Sequence, residues 1–152
     1  FLRSGLYASM GVQAVSFAIN AYGHWRWTHP REGERESDGS LSVTRLAVKE
    51  YPRHLWAVFM AFCLIMMVLL RTDDPHPYMD AACTSLILLA QWLSARKKVE
   101  CWWVWIVVNA ANLVLYIITG LRFMPVVAAL YLANGIWSLL SWKRNERNIE
   151  DK

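Results

Sequence analysis

The sequence predicts an all-α membrane protein, a bundle of five transmembrane helices in a single domain over residues 1–152. Three observations predict it. Hydrophobic residues make up 56% of the chain and charged residues 18%. The charges gather in joints between apolar runs. Those runs lack the two-residue alternation of barrel strands, and lipid cannot satisfy a free backbone, so helix is the state left. About 18 residues of helix cover roughly 27 Å, close to a hydrocarbon core of about 30 Å.

The first run, residues 6–27, carries no charge between Arg3 and Arg26. The second, 55–70, contains AVFMAFCLIMMVLL, and the third, 79–95, contains AACTSLILLAQWLSA. The fourth covers 102–119 and the fifth 125–142. Between the first two lies the one long polar segment, 28–50, with Glu32, Glu34, Arg35, Glu36, Asp38, Gly39 and Ser40. It is expected to be a loop with a short amphipathic helix over 43–50. Residues 72–77, with two prolines and two aspartates, predict a tight turn. The joints 96–100 and 120–122 are short, which makes the last three spans antiparallel neighbours. The apolar content excludes a disordered or nucleic-acid-wrapping chain. Cys63, Cys83 and Cys101 fall on different spans and predict neither a disulfide nor a metal site. The chain begins at Phe1 rather than Met and is expected to be incomplete at its N-terminus.

Orientation follows from the cations. With the N-terminus and alternate joints on one side, that side holds only Arg3, Arg71 and Arg122 of the 16 Lys and Arg residues. The positive-inside rule then places the 28–50 loop and the 143–152 tail in the cytoplasm.

Polar residues inside the spans form stripes. Ser9, Gln13, Ser16, Asn20, Gly23 and Trp27 alternate steps of four and three, which stacks them on one helix face. Asp80, Thr84, Gln91 and Ser94 fall on or near one face of the third span. Trp105, Asn109, Asn112 and Tyr116 do so on the fourth, and Tyr131, Asn134, Ser138 and Ser141 on the fifth. The second span has no stripe and reads as a lipid-facing connector. Single Ser or Thr residues are ordinary interhelical contacts at about 0.6 kcal/mol each. Five carboxamides, Gln13, Asn20, Gln91, Asn109 and Asn112, are costly at mid-bilayer and point to a wet cavity. Trp25, Trp27, Trp102, Trp103 and Trp142 read as an aromatic belt at the cytoplasmic ends. Trp105 lies deeper, beside Asn109, and suits a ring-stacking platform.

No span holds a buried carboxylate, lysine or histidine, which favours uncoupled passage down a gradient. Asp80 sits near the start of its span, where a negative charge is favourable. There is no phosphate-binding G-x-x-x-x-G-K-[ST] loop and no nucleophile–base pair, so an enzyme is not expected, nor a cofactor. A shift of 115 residues aligns the first span with the fifth, pairing Gly5 with Gly120, Ala18 with Ala133 and Trp27 with Trp142. That fits a parallel repeat.

The stretch DAACTSLILLAQWLSARKKVECWWVW, from Asp80, resembles the signature region of the PnuC family of bacterial vitamin-precursor transporters. NAANLVLYIITGLRFMPVVAALYLANGIWSLLSWKR and LYASMGVQAVSFAINAYGHWRW extend the resemblance over nearly the whole chain. It implies seven spans arranged three, one, three, as in SWEET carriers, with this chain beginning at the third. The stripe-free second span would be the linker. It implies facilitated diffusion of nicotinamide riboside across the bacterial inner membrane, with trapping by a cytoplasmic kinase; related members take thiamine or riboflavin. By position it points to Gln13, Asn20, Gln91, Trp105, Asn109, Asn112 and Tyr116 as substrate-binding residues. The family often has Asn at Cys101, Trp at His24 and Gly at Ser138, departures that bear on which substrate is taken. A non-transporting membrane subunit assembled through the same polar faces is the alternative from another class. Oligomeric state stays open, a homo-oligomer included; membrane lipid and a small-molecule substrate are the expected partners, and nucleic acid is not.

Overall fold

The computed structural model describes residues 2–35, 39, 41–71, 76–118, 120 and 122–150. Five helices follow in order: α1 Leu2–Thr28, α2 Tyr51–Leu69, α3 Pro77–Ala95, α4 Glu100–Ile118 and α5 Met124–Glu150. Residues 72–75 of the predicted turn, Thr119 and the last two residues of the predicted tail lie outside the described residues.

Helix boundaries have local causes. α2 starts earlier than its apolar run because Pro52 in its first turn presets the helical φ and needs no N–H partner there. α3 starts on Pro77 and carries Asp80 in its first turn, where the carboxylate faces the positive end of the backbone dipoles. After α4 the chain turns through Gly120 at φ 72°, which glycine adopts without a Cβ penalty. α5 runs unbroken past the predicted span end to Glu150, so span and tail residues form one helix.

Among the described residues three helical stretches are long and apolar enough to cross a membrane: Val48–Leu69, Glu100–Ile118 and Met124–Asn145. α1, at 27 residues, and α3, at 19, are long enough but are interrupted by their polar stripes. α3 is the hub. It packs against α1, α2 and α4, and α4 packs against α5. Large apolar side chains face outward along the helices: Phe17, Ile118 and Trp137 are each 76% exposed. Such continuous apolar surface marks a lipid-facing exterior.

The buried core instead concentrates at one end of the bundle. Val43, Val99 and Leu139 form one cluster, with Trp102, Ile106 and Trp142 packed on it. Leu46, Leu93 and Cys101 form a second, with Leu89, Trp102, Val104 and Trp105 against it. Val43 and Leu46 come from the segment predicted as a short amphipathic helix. That prediction is corrected: 41–47 is non-helical and only Val48–Glu50 makes a single 3₁₀ turn. Thr44 pairs in parallel with Lys98, and Arg35 antiparallel with Leu41, as isolated bridges. The physical reason is spacing. Leu41 and Val43 are two apart, which puts both on one side of an extended chain, and both are buried. Burial of such side chains is worth about 1.5–3 kcal/mol apiece.

The start of the loop is pinned by an ion pair between Arg26 and Glu34. The Arg26 hydrogen bond, and after it the Arg26 charge, holds the Glu34 carboxyl below its ordinary value, against an opposing contribution from burial.

Candidate functional site

α1 meets α3 at its closest point through Gly23. A Cβ there would lie 2.9 Å from the Ala95 Cβ, so the missing side chain is what lets the helices touch. One turn on, the Trp27 indole N–H donates to the carbonyls of Ser94 and Ala95, at 3.1 Å each. Both carbonyls lie in the last turn of α3, where α-helical donors run out, and the Ser94 carbonyl also accepts the Lys97 N–H at 2.9 Å. Tyr22 stacks on Trp92 with centroids 5.6 Å apart and planes 11° from parallel. Asn20, Gly23, His24 and Trp27 of α1, with Ser94 and Ala95 of α3, line a cleft of about 230 Å³. The lower parts of the polar stripes predicted on the first and third spans thus face each other.

The seven predicted site residues divide into two groups. Gln13 and Asn20 on α1 are exposed. Gln91 on α3 and Trp105, Asn109, Asn112 and Tyr116 on α4 are half-buried. Gln91 stands out chemically: its Oε1 is shut off from solvent and has no hydrogen-bond partner among the described residues. A shielded, unpaired amide oxygen costs roughly 1–3 kcal/mol, so it is primed to accept from an N–H or O–H brought to it. On α4, Cys101 contacts Leu93 of α3, while Ile106 approaches Gly135 of α5. By helical period the stripe of Trp105, Asn109, Asn112 and Tyr116 lies between those two directions, toward the space flanked by α3 and α5. Trp105 also rests on the Leu46, Leu93 and Cys101 cluster, so part of its surface is used in packing. The α5 stripe turns outward: Tyr131, Asn134 and Ser141 are exposed and Ser138 is half-buried. Asn20 alone of the seven lines either of the two clefts described here.

The larger of those clefts, about 350 Å³, lies between α2 and α3 and was not anticipated. Its walls include Arg53, His54, Ala57, Ala61, Ser85 and Trp92. Ala57 and Ala61, one turn apart on α2, carried the signal, because small side chains on one face leave room.

The tryptophans require a second correction. Trp103 and Trp25, each more than half exposed, fit an aromatic belt, and Trp103 carries the Lys143 ammonium 5.2 Å from its ring centroid. Trp27, Trp102 and Trp142 instead turn on one another. Trp102 meets Trp142 edge-on at 5.4 Å, and Trp27 meets Trp142 at 6.2 Å. Aromatic pairs in such geometry gain about 0.5–1.5 kcal/mol beyond burial, which is why they cluster rather than spread along the interface. Among the described residues no group of three or more His, Cys, Asp or Glu could hold a metal ion.

Comparison with known proteins bears on this arrangement. The family described as nicotinamide mononucleotide transporter matches residues 1–144. The riboflavin/roseoflavin transporter RibM of Streptomyces davaonensis is 28% identical over 141 residues, covering 90% of this chain and 64% of its own length. The nicotinamide riboside transporters PnuC of Escherichia coli and of Shigella flexneri are each 26% identical over 147 residues, covering 82% of this chain and 61% of their own. The chain therefore spans less than two thirds of the length of these curated relatives. No solved structure matches.

Proposed function

The chain belongs to the nicotinamide mononucleotide transporter family of multi-pass membrane proteins, and from that premise we propose that it carries a vitamin precursor, nicotinamide riboside first, by facilitated diffusion. The observation that supports this most is the shielded Oε1 of Gln91 on α3, without a partner among the described residues and four residues before the Ala95 that meets Gly23 of α1. Nicotinamide riboside offers a carboxamide NH₂ and ribose hydroxyls as donors. Asn109 and Asn112 supply donor and acceptor together. A pyridinium ring stacked on the Trp105 indole gains cation–π attraction, and none of the seven residues is a cation that would oppose it. Gln13 and Asn20 complete the proposed site from α1, and Tyr116 from α4.

All five helices are taken to span the bilayer of the bacterial inner membrane, with the α3–α4 turn and the C-terminus in the cytoplasm. α2 packs on α3, which supports reading it as the linker helix of a three, one, three arrangement. Rocking of α1 and its bundle against α3–α5 would move the site between the two faces, and a cytoplasmic kinase would trap the product. A second reading, a riboflavin carrier, is favoured by the likeness to RibM.

A thermal-shift screen of the detergent-solubilised protein against nicotinamide riboside, thiamine and riboflavin separates these readings. A ligand at 100 times its Kd adds about 2.7 kcal/mol of stability. Trp105→Ala is expected to weaken nicotinamide riboside binding by roughly 2- to 30-fold, the loss of a cation–π contact of about 0.5–2 kcal/mol. Asn109→Ala is expected to weaken it by about 2- to 10-fold, one hydrogen bond's worth. Unchanged affinity in both variants would remove the assigned site.

A further inference from the structure

We propose that residues 41–47 are a strap closing the candidate site at its cytoplasmic end, and that ligand release requires the strap to leave the α3–α4 turn. This rests on the transport reading above and names the gate of that same site.

The strap ties two parts that a rocking carrier must separate. At one end its Leu41 N–H donates to the carbonyl of Trp27, near the end of α1, at 3.3 Å. Further along, Thr44 N–H donates to the Lys97 carbonyl at 3.2 Å, and Val99 N–H donates back to the Thr44 carbonyl at 3.1 Å. The Leu46 N–H donates to Glu100 Oε2 at 3.0 Å, in the first turn of α4. Lys97 Nζ donates to the Leu41 carbonyl at 2.6 Å, and Lys98 Nζ to Thr44 Oγ1 and the Arg45 carbonyl. α1 is thereby bonded, through one extended segment, to the α3–α4 turn.

The same segment is the roof over the aromatic cluster. Leu41, Val43 and Leu46 are all buried. Leu46 shares a cluster with Trp105, the proposed stacking ring, and Val43 shares one with Trp102 and Trp142. A ligand on Trp105 moving toward this end meets Leu46. The strap is held by isolated backbone and side-chain hydrogen bonds and two bridges rather than by a regular helix or sheet. Segments of that kind open locally without unfolding the elements they cover.

Cys101 reports on the strap. It is fully buried, in the same cluster as Leu46, while Cys63 and Cys83 lie on α2 and α3 and can be replaced by alanine. In that background the rate of Cys101 alkylation by N-ethylmaleimide is measured on the whole chain in detergent. Leu46→Gly and Glu100→Ala are each expected to raise the rate at least tenfold, with Glu100→Gln closer to the parent. Thr44→Cys with Lys98→Cys, oxidised across the bridge pair, is expected to lower it below the parent rate, and reduction restores it. Nicotinamide riboside is expected to slow alkylation at least threefold in the parent and to have no effect once the strap is locked. Melting temperatures of all variants show which are folded; the oxidised pair carries the test if the loosening variants are not. A Cys101 rate indifferent to loosening or locking the strap overturns the proposal. Strap-dependent alkylation with no response to any vitamin precursor counts against the transport reading alone.

Discussion

A methyl group on Gly23 would sit 2.9 Å from one carbon of Ala95 and 3.0 Å from another, neither of them the end of a flexible side chain. Gly23→Ala is therefore expected to force α1 off α3 at a cost of about 1–3 kcal/mol, the range for overpacking a close contact. The melting temperature in detergent measures it, and Ala95→Gly in the same chain should recover most of the loss. A Gly23→Ala protein as stable as the parent would mean that α1 is free to stand off. At this scale the sequence was informative about direction and silent about partners. Asn20, Gly23 and Trp27 fell on one face by counting, and that face does meet α3. That Gly23 would meet Ala95, or that Trp27 would donate to the carbonyls of Ser94 and Ala95, depends on how two helices cross, which no single helix encodes. Gln91 was legible as a costly amide, but its partnerless oxygen was not, because satisfaction is a property of the surroundings.

The five helices were legible because each holds a long run without charge and polar joints separate them, although among the described residues three stretches are long and apolar enough to cross a membrane. The loop was not, because its apolar residues admit two periods. Val43 and Leu46 are three apart and suggest a helix; Leu41 and Val43 are two apart and suggest an extended chain, which wins because the Thr44 backbone pairs with the α3–α4 turn. The loop's first turn depends on charge. Arg26 holds the Glu34 carboxyl below its ordinary value of 4.5, so the folded state binds that proton less readily than the unfolded state. The extra stability is fully present above the ordinary value and is lost as pH falls through the lowered one. Ser42 N–H donates to the Glu34 carbonyl and reads the turn. Its hydrogen-exchange protection, corrected for intrinsic rate, should be flat between about pH 6 and 8 and should decline below about pH 4. Arg26→Gln should lower the protection at neutral pH and flatten its decline in acid; the same steep decline in that variant would assign it to another group.

At the scale of the whole molecule, the strap, the tryptophan cluster and most of the positive charge share one end. Trp27 and Trp142 also meet there, with ring centroids 6.2 Å apart. The polar faces of α1 and α5 were readable by spacing, yet Gln13 and Asn134 stand exposed. A helix's spacing says which residues share a face and not what that face meets. Sidedness is the remaining inference, and it decides the direction of the proposed gate. On the proposed five-span topology, thirteen of the 16 Lys and Arg residues belong to the strap's side, and Arg3, Arg71 and Arg122 to the other. Short-loop cations stay cytoplasmic. With the native cysteines replaced, Arg122→Cys is expected to react with a membrane-impermeant maleimide in intact cells, and Arg144→Cys only after permeabilisation. The reverse pattern would put the strap on the outer face. The same bonds would then govern entry of the ligand rather than its release, while the α1–α3 contact and the Gln91 site would stand unchanged.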